Sequence, residues 1–515
     1  MSESAFQNVC DLLESRARQT PDKEFLIADA GSRRFTFRDF LAEVERAVEL
    51  LRALGVAKGD RVSLLLNNRA EYLISYFACF KIGAWAGPVN ALLKSHEIEF
   101  IIGNSEACAV ITQPDLLHAL ADARASVPSL RSVVVIDEDN TWSVVTDKPR
   151  RNDGTSSPRG DWPQPELNDE AVIIYTSGTT GKPKGVLLTH GNLLANAGQI
   201  SEWLSLTERD RALMIMPLFH VNALMTTCLA ALWAGGSVVL EPRFSASRHW
   251  QTISKHRVTY FGSVATMLSM LNHTYPDGVP NDCDTSSLRF ALCGSAPVPV
   301  EVLRRFESQF ECPVIEGYGL SESTCRSTFN PPDERRRPGS VGLPIGNEVK
   351  VVDDQDGEVD SGTVGEIVLR GPNIMKGYYK NETATDEAFR SGWFHTGDLG
   401  YKDKEGFFYI VDRKSDMIIR AGENIYPREI DEVLYQHPKV KDAATIGVPD
   451  ELYGEEVKAF VVLRDGCDAS SQEIIDFCTA RLADFKCPRS VTFVLDIPKG
   501  PTGKLLKREL AGRDS

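Results

Sequence analysis

The sequence predicts an α/β protein: a large N-terminal domain of doubly covered sheets (residues 1–412), a small β-rich subdomain inside it (about 340–412), and a small α+β C-terminal domain (413–515). Three observations predict it. At 515 residues the chain is too long for one ordinary core. Strand-like and helical segments alternate to about residue 330, the pattern of sheets covered on both faces. From about residue 340 the pattern changes to short strands with tight turns, and after residue 412 a module of about 100 residues follows, an ordinary domain size.

In chain order, residues 35–52 carry apolar side chains at helical spacing (Phe37, Phe40, Leu41, Val44, Val48, Leu51), with Thr36 placed to cap and Asp39 three residues on. Residues 61–66, 109–112 and 132–136 read as strands. The polar, Pro- and Gly-rich stretch 148–166 reads as a surface loop. Apolar residues 171–174 form a buried strand, and 237–240 and 258–261 continue the alternation. The subdomain's strands are 349–352, 365–370 and 406–411. In the last module residues 427–435 form a helix with Pro427 in its first turn.

The net charge of −15 leaves no basic excess to offset phosphate repulsion, which disfavours nucleic acid as a general partner. The acidic N-terminus is neither a signal nor a transit peptide. No run approaches the ~18 apolar residues of a membrane span. Eleven cysteines stand no closer than nine residues apart, which excludes the usual zinc spacings and reads as reduced thiols in a cytoplasmic protein.

The string Tyr175-Thr-Ser-Gly-Thr-Thr-Gly-Lys-Pro-Lys-Gly-Val-Leu-Leu-Thr-His190 is built to hold a polyphosphate. Gly178, Gly181 and Gly185 let the backbone approach closely, Thr176, Ser177, Thr179 and Thr180 add hydroxyls, and Lys182 and Lys184 add charge. Pro183 after Lys182 sets it apart from the Walker pattern. The string resembles the phosphate loop of the adenylate-forming superfamily, which includes acyl-CoA synthetases, peptide-synthetase adenylation domains and luciferases. The resemblance spans nearly the whole chain, in the family's order: Met216-Pro-Leu-Phe-His220, Cys293-Gly-Ser-Ala-Pro297, Glu316-Gly-Tyr-Gly-Leu-Ser-Glu322, Trp393-Phe-His-Thr-Gly-Asp398, Asp412-Arg-Lys-Ser-Asp416 and Pro498-Lys-Gly-Pro-Thr-Gly-Lys504.

This resemblance implies an ATP-dependent acid–CoA ligase acting through an acyl-adenylate, with ATP, Mg²⁺ and CoA as its small molecules. ATP would be held by Thr176, Ser177, Gly178, Thr179, Thr180, Gly181 and Lys184, by Gly294, Ser295 and Ala296, and by Glu316, Gly317, Tyr318, Gly319 and Ser321. Asp398 would take the ribose, Arg413 the ribose or a phosphate, Tyr318 would offer its ring to adenine, and Glu322, a hard oxygen ligand, would hold Mg²⁺. Lys504, on a C-terminal domain that is mobile in the family, would neutralise the two anions that meet when a carboxylate attacks the α-phosphate. Thr176, Glu322 and His220 complete the catalytic set. Ser415 occupies the hinge position, where relatives commonly carry Asp or Lys. Gly422 would leave clearance for the pantetheine arm.

The acid is less legible. The resemblance lines its pocket with His220, Val221, Asn222, Ser295, Gly317, Gly319, Thr324 and Cys325. Glycines 317 and 319 would leave room for an acyl or ring group, and the lining is otherwise neutral apart from the polar Asn222. No acid stands among Phe219-His-Val-Asn-Ala223 to pair an α-ammonium, which disfavours amino acids. Two alternatives stay open, an enzyme that loads an acyl carrier protein and a non-catalytic nucleotide-binding protein; nothing in the sequence signals a luciferase-type oxidation. A homodimer is also left open.

Overall fold

The computed structural model describes residues 6–146, 163–176, 183–294, 298–421, 423–499, 506 and 509–510. Two large sheets organise the first 344 residues, and smaller sheets follow. In the first, Arg61–Leu65 lies between the parallel strands Trp85–Pro88 and Ala109–Thr112. Glu170–Thr176 joins Trp85–Pro88 in parallel, and Lys184–Thr189 returns antiparallel to it with Lys184 opposite Thr176. The phosphate-loop string therefore joins two neighbouring strands. Thr189 then starts the helix His190–Trp203 in a capping box with Asn192, which turns the chain directly off the sheet.

In the second sheet Ser237–Leu240, Arg211–Met214, Tyr260–Ser263, Phe290–Cys293 and Val314–Tyr318 run parallel in that order. The short strand Thr328–Phe329 closes antiparallel on the last, placing Phe329 opposite Gly317. The apolar residues of both sheets and their covering helices form the core.

The third sheet is antiparallel and contains Glu348–Val352, Gly365–Arg370, Trp393–Lys402 and Phe408–Arg413, with Asp398 opposite Arg413. The fourth contains Ile418–Arg420, Val440–Asp450 and Gly454–Leu463, with its own core under the helix Pro427–Tyr435. The backbone passes between these sheets over residues 414–417, where Ser415 is exposed. Among the described residues no helix is long and apolar enough to cross a membrane.

Local chemistry explains where the elements begin. The helix Phe37–Ala53 starts at the expected cap: Thr36 Oγ1 accepts from Asp39 N, and Asp39 returns a carboxylate oxygen to Thr36 N, each at 3.1 Å. The strand expected over 258–261 lies instead at Tyr260–Ser263. Val258 N–H is spent on Ile253 O, closing the preceding helix through Arg257 at φ 51°, so Val258 belongs to that helix's C-terminal cap. The strand expected over 406–411 lies at Phe408–Arg413, because Gly406, at φ 89°, belongs to the turn that Asp403 organises through Gly406 N and Phe407 N. One element was not expected at all. Ala223–Leu229, straight after the His220 motif, is a fully buried π-helix.

Candidate active site

The ends of the third sheet and of Val314–Tyr318 meet at Asp398. Its Oδ2 accepts the Tyr318 hydroxyl at 2.6 Å and its Oδ1 faces Arg413 Nε at 3.2 Å. Cross-strand pairing of residues 398 and 413 makes this contact local, while Tyr318 arrives from another sheet. Burial, then Asp398, pushes the Tyr318 phenol well above its ordinary range, so the hydroxyl stays a donor and fixes the ring. Three of the residues expected to hold adenosine are thus brought together.

Glu322 follows four residues after Tyr318 in a single 3-10 turn, Ser321–Ser323. The Tyr378 hydroxyl donates to Glu322 Oε1 at 3.0 Å. Tyr378 sits on the strand Gly377–Tyr378, which pairs antiparallel with Lys184–Thr189 and faces the Lys184 ammonium 5.0 Å from its ring centre. Sequence reasoning missed Tyr378, although the aromatic pair Tyr378-Tyr379 after Gly377 is the signal that was available. It ties the phosphate-loop strand to the carboxylate. Burial raises the Glu322 pKa despite the Tyr378 hydrogen bond and nearby Arg413. No cluster of three metal-ligating side chains exists among the described residues. A lone, partly screened carboxylate fits Mg²⁺, which keeps its waters and shares substrate phosphates rather than sitting in a protein cage.

On the acyl side, His220 lies at the start of the segment leading into the π-helix. Among the described residues its buried Nε2 has no partner, and burial lowers its pKa to about 4. It is neutral at pH 7, so it presents a polar ring without charge. Val221 and Asn222 are buried next to it, and Asn222 Oδ1 accepts from Thr226 Oγ1 at 2.8 Å. Thr324 holds φ 65°, ψ −57°, with Cys325 N donating to Ser323 O at 2.7 Å. That is a γ-turn centred on a β-branched residue, an unfavourable conformation of the kind that clusters at ligand sites. The Thr324 hydroxyl is fixed on Asn373 O at 2.7 Å.

One expectation for this pocket is corrected. Glycines 317 and 319 do not leave space for an acyl group where their side chains would stand. A Cβ on Gly319 would lie 2.0 Å from Cys325 O, and one on Gly317 would lie 2.3 Å from the Phe329 ring. Both glycines serve close packing of Thr328–Phe329 and the preceding turn on Val314–Tyr318. Arg326, next to Cys325, is buried with its guanidinium against Gly294.

Of the other expected residues, Thr176 and Lys184 end the two phosphate-loop strands, Ser321 opens the 3-10 turn, and Gly294 follows Phe290–Cys293. Ser177, Gly178, Thr179, Thr180, Gly181, Ser295, Ala296, Gly422 and Lys504 lie outside the described residues. Glu316 is buried, and its Oε2 is occupied by Gly339 N–H at 2.7 Å. Burial pushes its carboxyl up to about 8, so folding favours the protonated form. The stabilisation is complete below the ordinary carboxyl range near 4.5 and is lost as pH rises through about 8. Glu316→Gln keeps an acceptor for Gly339 and cannot ionise. It is expected to melt with the unmodified protein at pH 4.5 and above it at pH 9, by several degrees, corresponding to ~2 kcal/mol or more. Equal melting at both pH values would show that Glu316 ionises freely.

Known proteins share this sequence pattern and fold. Residues 13–379 match the AMP-binding enzyme family, and residues 429–504 match the AMP-binding enzyme C-terminal domain. The sulfoacetate–CoA ligase of Cupriavidus necator is 37% identical over 98% of this chain and 97% of its own length. ATP-bound MatB from Rhodopseudomonas palustris superposes with a TM-score of 0.89 at 30% identity, covering 98% of this chain and 99% of that one. The o-succinylbenzoate CoA synthetase MenE of Bacillus subtilis, solved with its acyl-adenylate intermediate, superposes with a TM-score of 0.84 at 34% identity over 98% of both chains. With the two family domains in order and full-length relatives above 30% identity, the chain belongs to the adenylate-forming AMP-binding enzymes, as one of their acid–CoA ligases.

Proposed function

We propose that this site joins a carboxylic acid to CoA in two steps at the expense of ATP. In the first, a carboxylate oxygen of the acid bonds to the α-phosphorus, the bond from that phosphorus to the bridging oxygen breaks, and pyrophosphate leaves. In the second, the CoA sulfur bonds to the acyl carbon, AMP leaves, and the thiol proton passes to solvent or to the leaving phosphate. The observation that carries this reading is the Tyr318–Asp398–Arg413 clamp beside Glu322, which suits a nucleoside with its phosphates directed toward Lys184.

Asp398 accepts from the ribose hydroxyls while Arg413 holds it in place. Thr176 and Lys184 flank the β- and γ-phosphates. Glu322 would hold Mg²⁺, which would supply positive charge to the phosphate oxygens. Neutral His220 borders the acid without repelling or neutralising its carboxylate, and it has no proton to remove from it at pH 7. Lys504 approaches the α-phosphate on a C-terminal domain that turns about Ser415, and the turned domain brings Gly422 to the pantetheine path. Free CoA as the acceptor is supported by the CoA ligases and synthetases among the relatives.

Incubation with ATP, Mg²⁺ and a library of acids is expected to release pyrophosphate with at least one acid, and adding CoA should give its thioester. A thioester formed only on a phosphopantetheinylated carrier protein would replace CoA by the carrier as acceptor. No pyrophosphate with any acid would remove the ligase reading.

A further inference from the structure

Arg326 is 2% exposed, yet no carboxylate lies within ion-pair distance of it among the described residues. Among the described residues its Nη1 reaches only Gly317 O, at 3.3 Å, its Nε has no partner, and its guanidinium lies over the Phe329 ring at 5.3 Å. Other well-covered arginines are neutralised: Arg69 by Glu71 at 2.8 Å, Arg420 by Glu456 at 2.7 Å, and Arg336 by Glu307 at 2.7 Å. An arginine cannot shed its proton to escape burial, so an unpaired one is costly unless an anion arrives.

The surroundings are built to hold this cation in place. Asn196 Oδ1 accepts Arg326 N–H at 3.1 Å, and Asn196 Nδ2 donates to Arg326 O at 2.7 Å. Asn373 Nδ2 donates to the same carbonyl at 3.2 Å, and both asparagines are fully buried. Upstream, the γ-turn at Thr324 aims the segment. The guanidinium touches the ends of Phe290–Cys293 and Val314–Tyr318 at Gly294 and Gly317. Strand alternation puts Gly317 and its partner Phe329 on the face opposite Tyr318, so this charge sits away from the adenosine clamp. It is therefore off the Tyr318–Asp398 clamp and adjoins Thr324 and Cys325, which the family resemblance assigns to the acid.

We propose that Arg326 is the counter-charge for a second anionic group on the acid, so that the substrate is a dianion. One carboxylate is adenylated, and a second carboxylate or a sulfonate pairs with the guanidinium. This rests on the ligase reading and deepens it. Arg326 acts on specificity by binding and orienting the acid, and it takes no part in bond making.

The test compares dicarboxylic and sulfonated acids of two to five carbons with the monocarboxylic acid of each length, reading kcat/KM for pyrophosphate release. The wild type is expected to prefer the dianion by about 10²-fold or more, because an acid lacking the second charge leaves a buried cation unpaired. The carboxylate and sulfonate arms show which anion it takes. Arg326→Leu is expected to lose about 10²–10³-fold with the dianion, mainly in KM, and to hold or gain with the monocarboxylate. Arg326→Lys should restore part of the loss with the dianion alone. A merely structural arginine would lower all acids together, and that result, or a wild-type preference for the monocarboxylate, overturns the proposal while leaving the ligase reading intact. Absence of activity with every acid counts against the ligase reading itself. Should Arg326→Leu not fold, the wild-type preference decides.

Discussion

Asp398→Ala is expected to lower acyl-adenylate formation by about 10²–10³-fold without unfolding the protein. The carboxylate holds both arms of the clamp, the Tyr318 hydroxyl at 2.6 Å and Arg413 Nε at 3.2 Å. Bonds to a charged group are each worth ~1.5–3 kcal/mol, and 1.4 kcal/mol is a decade in rate. Alanine removes two of them and leaves the Arg413 cation facing a phenol in a partly desolvated site. The strand pairing that positions residue 398 is main-chain, so it survives the change. Acid-dependent pyrophosphate–ATP exchange measures the effect directly. Asp398→Asn, which keeps the shape and one acceptor, should fall between the two. Exchange at the wild-type rate in Asp398→Ala would remove Asp398 from the nucleotide site.

The other large effect is expected at Lys504, whose role rests on the Pro501-Thr-Gly-Lys504 string. Lys504→Ala should lower adenylation by about 10²–10³-fold, the scale of losing one donor aimed at developing charge. Thioester formation from supplied acyl-AMP and CoA should change little, since no pentacoordinate phosphorus forms in that step. Equal losses in both half-reactions would contradict a lysine that serves only the first.

The fold was legible wherever its causes are local. Thr36 and Asp39 announced a capping box, and Pro427 announced the first turn of Pro427–Tyr435. Boundaries were lost where a residue's backbone group is claimed from outside its own run. Val258 looks like strand by composition but closes the preceding helix, and Gly406 looks like strand by its neighbours but turns the hairpin. The π-helix Ala223–Leu229 could not be read, because a segment buried on every side carries no amphipathic period. In the site, motif order located the clamp residues. It could not show which way a missing Cβ would point, so Gly319 was taken for ligand space when the Cys325 carbonyl fills it. Arg326 was passed over for a similar reason: a charged residue in a polar string looks ordinary until burial and the absence of an acid are seen together.

The twin asparagines at residue 326 have a consequence for how such enzymes diverge. Asn196 and Asn373 grip the main chain of that residue, not its side chain. The position therefore works as a socket whose mounting is independent of what is plugged into it. A single codon change can exchange a cation for an apolar or smaller group while Tyr318, Asp398 and Glu322 keep their geometry. Acid preference can then drift by point mutation on an unchanged ATP-activating frame, and in the laboratory residue 326 is the first place to retune the enzyme toward monocarboxylic acids.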